Sequence, residues 1–453
     1  MPFSITHLTT AAMATTHQHH HPTIKPNHFH LKKLIPWLLY ILLPLAILHL
    51  YLSSLSSPAT SSPNGTASTS VPVSSSSSSS QTVAELPEQP PSWTFCNFSD
   101  GQWVPHSGGP LYSGTACKTI KKGQNCMEHG RPDTGYLHWR WRPRRCSLPP
   151  FDPAAFLDLL ADKHLAFVGD SMARNQLESL LCLLAVAEEP DLVYRDGEEN
   201  KFRRWVFRRR NATVSVFWSP FLVKGVEKDE PAGLKHNTLF LETADDRWAA
   251  DLDGIDVVLF SAGHWYLLPA IYHEHGVVLG CHACPDFNLT EIGFFDVFRK
   301  AVRTALGEVS RRQHSSGEKL VLVTTFSPAH FEGEWDKAGA CPKKEPYKEG
   351  EKEMGYTDAL MRRIAVEEVA AAVAAADSRG GGKVKMETLD VTEMALLRPD
   401  GHPGPYMHPH PFAGGEVGDR VQNDCVHWCL PGPIDSWNEI LLQVIRRWKK
   451  ASH

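Results

Sequence analysis

The sequence predicts an α/β domain on a mostly parallel sheet, set behind a small cysteine-rich module and a single membrane anchor. Three observations predict it. Strand-like and helix-like patterns alternate from Phe151 onward, all ten cysteines lie after one uncharged apolar stretch, and a serine-rich segment separates that stretch from the rest. With 453 residues the chain is too long for one compact core. At 42% hydrophobic and 21% charged, it is not disordered throughout, collagen-like or polytopic. The formal charge of −5 gives no reason to expect nucleic acid and suits a neutral partner.

Residues 1–33 read as a cytosolic tail whose histidines, His17, His19, His20 and His21, are low-complexity sequence without acidic or cysteine partners. Residues 34–52, LIPWLLYILLPLAILHLYL, match the length that a bilayer core demands of a helix. The stretch lacks a small-residue cleavage site and reads as an uncleaved signal anchor. Lys25, Lys32 and Lys33 precede it and no basic residue follows for many positions, so everything after Leu52 is expected in a lumenal compartment. Residues 53–92, dominated by Ser, Thr, Pro and Ala, cannot bury a core and read as a flexible stalk.

In that oxidising compartment the cysteines are expected to pair. Cys96, Cys117, Cys126 and Cys146 fall with Trp93, Trp103, Trp139 and Trp141 in residues 93–150, a loop-rich stapled module. Cys182, Cys281, Cys284, Cys341, Cys425 and Cys429 are spread through residues 151–453, and some are expected to tie the module to the larger domain. The sequence leaves the pairing open. Glycosylation sequons stand at Asn64, Asn97, Asn211 and Asn288.

In the larger domain Asp152 and Pro153 cap and start a helix through Asp162. A short strand, His164 to Val168, ends at Gly169-Asp170-Ser171 before a helix from Met172 to about Val186. Further strands are expected at Val214–Trp218, Asp256–Phe260, Leu320–Thr325 and Lys383–Leu389, with an Ala-rich helix over Thr357–Ala376. Ser436 and Glu439 form a capping box for a last helix through Arg447. Ligands of such a sheet sit at the carboxyl ends of its strands.

Ser171 occupies such an end, in a tight turn that opens a helix, which exposes its hydroxyl and leaves its N–H at a helix N-terminus. A nucleophile has that placement, and so does an ordinary capping serine. The second signal is Asp424-Cys425-Val426-His427. A serine hydroxyl needs a histidine base held by a carboxylate, and an aspartate three residues before a histidine can supply both within one loop, which disulfides at Cys425 and Cys429 would fix.

Gly169-Asp170-Ser171-Met172 with Asp424-Cys425-Val426-His427-Trp428-Cys429-Leu430-Pro431-Gly432, behind one anchor and a Cys/Trp-rich module, resembles the plant trichome birefringence-like family over about residues 92–449. The resemblance implies an SGNH-hydrolase-like three-layer α/β/α domain, Golgi residence as a single-pass type II membrane protein, and O-acetylation of a cell-wall polysaccharide. It makes Ser171 the nucleophile, His427 the base and Asp424 its orienting carboxylate. It also matches Gly263-His264-Trp265, where related hydrolases carry an Asn beside the Gly as oxyanion donor and this chain has His264. Many relatives have Trp where Tyr266 stands. Gly263 and His264 are candidates for the oxyanion or substrate, and so are Arg174 and Asn175, one turn after Ser171, unless these two only line a solvated helix face.

The stretches Arg398–Tyr406 and Pro431–Asn438 resemble the xyloglucan-acetylating subgroup, which makes a hemicellulose the expected acceptor, with mannan or xylan as alternatives. No bound cofactor is expected, and the donor would be acetyl-CoA or another acetylated carrier. A lumenal acetylesterase with the same triad and a non-catalytic wall-polymer binding protein are competing readings. Trp139, Trp141, Trp265 and Trp428 are candidates to face sugar rings or to fill the core. His273, His275, Cys281, His282 and Cys284 suggest zinc, but a single Cys-x-x-Cys in an oxidising compartment reads better as a disulfide, and no metal is expected. The arginines at 140, 142, 144 and 145 and at 203, 204 and 208–210 are either ion-paired faces or a patch that steers a phosphate-bearing donor.

Overall fold

The computed structural model describes residues 96–196, 201–312, 317–380, 383–413 and 420–451. The expected tail, anchor and stalk, with Asn64 and Trp93, lie outside the described residues. Among the described residues no helix is long and apolar enough to cross a membrane.

Two strands, β1 (Gly101–Pro105) and β2 (Trp139–Pro143), pair antiparallel in the N-terminal module. The domain that follows is built on β3 (His164–Gly169), β4 (Asp191–Asp196), β5 (Phe202–Phe207), β6 (Ala212–Trp218), β9 (Val257–Ser261), β12 (Lys319–Thr324) and β13 (Val384–Leu389). They form one seven-stranded sheet in the order β13-β12-β9-β3-β6-β5-β4. The five strands from β13 to β6 run parallel, whereas β5 and β4 are antiparallel additions at the edge. The main sheet is therefore mostly parallel, as expected, with an antiparallel edge. A second sheet of β7 (Val223–Val226), β8 (Asn237–Ala244), β10 (Ala270–Glu274) and β11 (Val277–His282) has the order β11-β10-β8-β7.

The central strands are apolar at nearly every position because both faces are covered. Successive side chains point to opposite faces, so Leu165, Phe167, Val257, Leu259, Leu320 and Leu322 enter one core while Ala166, Val168, Val258, Phe260, Val321 and Val323 enter the other. The first core is closed by α1 (Pro153–Leu159), α2 (Ser171–Ala185) and α5 (Asp435–Ala451), the second by α3 (Phe295–Arg311) and α4 (Tyr356–Asp377). The Asp152 side chain accepts from the Ala155 N–H and caps α1, which ends at Leu159, short of Asp162. The capping box does not form. Helix α5 starts at Asp435, so Ser436 lies inside it, and Glu439 faces Arg140 at 3.7 Å.

All ten cysteines pair: Cys96–Cys146 within the module, Cys117–Cys182 and Cys126–Cys429 between module and domain, and Cys281–Cys284 and Cys341–Cys425 within the domain. The module is thus bonded into the domain by side chains as well as by sulfur. Trp103 donates its indole N–H to the Met394 carbonyl at 2.8 Å and lies under the Arg398 guanidinium. Arg131 donates to the carbonyls of Asp400 and His402 at 2.7 and 2.9 Å.

Candidate active site

The site forms where the carboxyl ends of β3 and β9 lie side by side, with Gly169 opposite Ser261. A Cβ on Gly169 would fall 1.8 Å from the Ser261 carbonyl oxygen, so only glycine lets the strand leave the sheet here. Asp170 then caps α2 by accepting the Met172 N–H at 2.9 Å. Its other oxygen accepts the N–H groups of Gly263 and His264, at 2.9 and 3.2 Å. One buried carboxylate therefore holds both the turn that presents Ser171 and the Gly-His-Trp turn after β9. Burial pushes the Asp170 carboxyl up to about 6, against the pull of the three N–H donors.

Ser171 is the first residue of α2 and half-buried, and its N–H has no acceptor among the described residues. Asp424 and His427 share a loop fixed at both sides of the histidine by the bridges from Cys425 to Cys341 and from Cys429 to Cys126. The Asp424 carboxylate accepts the N–H groups of Val426 and His427 and, at 2.7 Å, the Nδ1–H of His427. Burial alone would raise this carboxyl, but the His427 charge and the three donors outweigh it and hold it far below the usual range. The His427 Nε2 is buried without a hydrogen-bond partner among the described residues.

Asn175 brings the two halves together. Its amide oxygen accepts the Trp428 N–H at 2.7 Å and its amide nitrogen donates to the Trp428 carbonyl at 3.2 Å. The residue after His427 is therefore clamped to α2 one turn beyond Ser171. Behind the loop, His402 donates through Nδ1 to the His427 carbonyl at 2.7 Å and stacks on Trp428. His330 Nδ1 lies 2.7 Å from His402 Nε2. Burial lowers the affinity of His402 and His330 for protons.

Several expectations change here. The Gly263 N–H is occupied by Asp170 and is not an oxyanion donor. Asn175 is fully buried and faces the Trp428 backbone, and Arg174 is buried with its guanidinium over Trp218 at 5.3 Å, so neither lies on a solvated face. Trp141 and Trp428 fill the core, as does Tyr266, whose hydroxyl donates to the Phe221 carbonyl. Trp265 and Trp139 remain partly exposed. The Arg398–Tyr406 stretch is packing: Arg398 is fully buried, pairs with Asp400 and donates to the Tyr136 carbonyl. Cys281 and Cys284 bond to each other, and sulfurs in a disulfide are not thiolate ligands. Asn97, Asn211 and Asn288 are all exposed. The arginine clusters resolve largely into ion pairs, Arg140 with Glu439, Arg144 with Asp100 and Glu349, Arg204 with Asp251, Arg208 with Asp191 and Arg210 with Asp158.

Residues 148–444 match the GDSL/SGNH-like acyl-esterase family found in Pmr5 and Cas1p, and residues 94–147 match the PMR5 N-terminal domain. The chain belongs to this family. Within it, the chain groups with the trichome birefringence-like proteins. It is 57% identical to xyloglucan O-acetyltransferase 1 of Populus trichocarpa, over 93% of this chain and 95% of the relative. It is 51% identical to xyloglucan O-acetyltransferase 1 of Arabidopsis thaliana, over 92% of this chain and 97% of the relative. Identity to protein trichome birefringence-like 25 of Arabidopsis thaliana is 44%, over 78% and 77%. The boundary between the two family models, at residue 147, falls between the last module cysteine, Cys146, and helix α1. Asp170, His402 and His330 are the site residues that sequence reasoning missed; the first had a signal, since an aspartate directly before a helix is a common cap.

Proposed function

We propose that this chain is a xyloglucan O-acetyltransferase that works through an acetyl-Ser171 intermediate. The observation that carries the reading is the Asp424–His427 pair, clamped through Trp428 and Asn175 to the helix that Ser171 opens. Identities of 51–57% to xyloglucan O-acetyltransferases over more than nine-tenths of the chain support the acceptor. In the first half-reaction His427 Nε2 takes the Ser171 hydroxyl proton, Oγ attacks the acetyl carbonyl, and the Ser171 N–H receives the oxyanion. Asp424 stabilises the imidazolium, which then protonates the departing carrier. In the second half His427 takes the proton of a sugar hydroxyl, whose oxygen attacks the acetyl carbonyl and releases Ser171 Oγ, reprotonated by the same imidazole.

The donor, acetyl-CoA or another acetylated carrier, would approach along α2. A cavity of about 620 Å³ there is lined by six cations, Lys118, Lys121, Lys122, Arg174, Arg195 and Arg203, against the carboxylates of Glu178 and Glu189. That balance suits a phosphate-bearing carrier. Residues 34–52 would anchor the protein in the Golgi membrane with the folded part in the lumen, and the exposed sequons and five disulfides agree with that compartment.

The test is acetyl transfer from acetyl-CoA to xyloglucan oligosaccharides by the full chain, read as added acetyl mass. Ser171→Ala should reduce transfer by about 10³-fold or more. A variant that still transfers sinks the mechanism, and a wild type that only removes acetate from acetylated xyloglucan makes the chain an esterase. Preference for mannan or xylan oligosaccharides over xyloglucan would move the acceptor.

A further inference from the structure

His330 and His402 lie buried behind the loop that carries Asp424 and His427, and the steps above do not use them. Three hydrogen bonds fix their rings. His402 Nδ1 lies 2.7 Å from the His427 carbonyl oxygen, His330 Nε2 lies 2.8 Å from the Leu396 carbonyl oxygen, and His330 Nδ1 lies 2.7 Å from His402 Nε2. A carbonyl oxygen only accepts, so each of the first two contacts needs a ring N–H. The third joins two ring nitrogens and needs one proton between them, since two lone pairs at that distance repel. Two neutral imidazoles carry two protons in all, and the geometry calls for three.

We propose that His330 and His402 share a third proton, and that this singly charged pair positions His427 for its work as the base. The proposal rests on the role given to His427 in the reading above. The pair holds the loop at two carbonyls on either side of Val426: the His330 backbone N–H donates to Cys425 at 3.0 Å, and the His402 Nδ1–H donates to His427. Trp428 lies stacked on the His402 ring with centroids 4.2 Å apart, and an indole face favours a cation. Burial lowers the proton affinity of both rings, and Lys352 beside His330 and His427 beside His402 add to that, whereas the two carbonyl bonds and the carboxylates of Glu332, Asp400 and Asp424 oppose it. Of the other neighbours, Arg398 is paired with Asp400, Arg131 of the module donates to the His402 carbonyl, and Tyr347, from the loop after β12, brings its ring within 6.3 Å of His330. The third proton is held at acid pH and leaves as pH rises. Once it has gone, one of the three contacts sets a lone pair against an oxygen or a second nitrogen, and the hold on His427 loosens.

The test uses the full chain in detergent, with acetyl-CoA as donor and xyloglucan oligosaccharide as acceptor. In the wild type, NMR of isotope-labelled histidine should count three ring protons on the pair at pH 5 and two at pH 8; the coupling across the N–H–N bond picks the pair out from the other histidines, and the readout does not depend on how any variant folds. The kcat of the wild type should fall about tenfold on the alkaline side as the hold on the loop is lost, with the acceptor KM unchanged. Asparagine can place an amide N–H against His402 Nε2, which lets His402 stay neutral and keep its bond to His427, so in His330→Asn the alkaline fall should disappear. His402→Phe retains a ring on Trp428 but leaves the His427 carbonyl unmet, so its kcat at pH 5 should be about tenfold below that of the wild type and below that of His330→Asn, with no further alkaline fall. Two ring protons on the pair at pH 5, or an alkaline fall that survives in either variant, would overturn the proposal. A wild type with three ring protons that transfers nothing to sugar overturns the transferase reading, whereas a transferring wild type with two ring protons at pH 5 overturns this proposal alone.

Discussion

Asp170 does more for the site than its place in a three-residue motif suggests. It accepts three N–H groups from two turns, one ahead of α2 and one after β9, so it sets the distance between the Ser171 turn and the His264 turn. In Asp170→Asn one oxygen becomes a donor, and either the Met172 N–H or the Gly263 and His264 pair then faces a like group. Leaving buried donors unmet costs about 1–3 kcal/mol. The variant should show a lowered Tm by calorimetry and a kcat reduced at least about tenfold, with Ser171 and His427 both intact. A kcat unchanged alongside a lowered Tm would reduce Asp170 to a helix cap. The candidate reacting groups were legible as a pattern: serine after a strand, and aspartate three residues before histidine, follow from what acyl transfer needs. The groups that hold them were not. Asn175 reaches Trp428 across 253 positions of chain, and nothing local in either segment marks that pairing. Gly263 failed as an oxyanion donor for the same reason, since the acceptor that occupies its N–H lies 93 residues away.

At the scale of elements, α2 would link the chemistry to the proposed donor cavity. Its first residue is Ser171, and Arg174 and Glu178, further along, line the basic cavity together with Lys122 and Arg195. Removing two exposed cations from a phosphate-binding surface weakens binding by a fraction of a kcal/mol to about 1 kcal/mol each. Lys122→Gln combined with Arg195→Gln should therefore raise the acetyl-CoA KM roughly three- to thirtyfold, more at low salt, and leave the oligosaccharide KM unchanged. Equal rises in both constants, or none, would show that the donor does not use this cavity. Elements with a clean period were legible in the sequence: the strands ending at Gly169, Ser261, Thr324 and Leu389 and helices α2 and α4 fall within a few residues of expectation. The second sheet was not, because β7, β10 and β11 are four to six residues long with polar residues interspersed. Helix α3 was also missed, although Val297, Phe298, Ala301, Val302, Ala305, Leu306 and Val309 recur at helical spacing; four charged residues between them obscured the stripe. The capping box at Ser436 misled because Asp435, one position earlier, is held by Tyr112, Ser179 and Gly432 and starts the helix itself.

Across the whole molecule, module and domain share their buried charges as well as their disulfides, and that fixes how stability responds to pH. Glu439 of α5 lies half-buried opposite Arg140 of β2, and desolvation pushes its carboxyl up to about 7 despite the nearby guanidinium. A carboxyl raised in the folded state binds more protons than its unfolded counterpart between about pH 4 and 7, so its contribution to stability falls as pH rises through that window. Asp170 and Asp435, each raised to about 6 by burial, act in the same sense. Two half-buried histidines oppose them. His164 and His264, both lowered to about 4, bind fewer protons folded than unfolded and cost stability as pH falls below about 6.5. The wild-type profile mixes the two signs, and a difference between variants separates them. In Glu439→Gln the histidines and the other carboxyls are unchanged and cancel on subtraction. The variant should therefore gain on the wild type as pH rises from 5 to 8, by about 2–3 kcal/mol at most and a Tm difference on the order of 5 °C, with the change steepest near pH 6 and flat above about 8. A Tm difference that does not vary with pH would mean that Glu439 stays ionised against Arg140 throughout, and that the contact between module and domain is an ordinary ion pair.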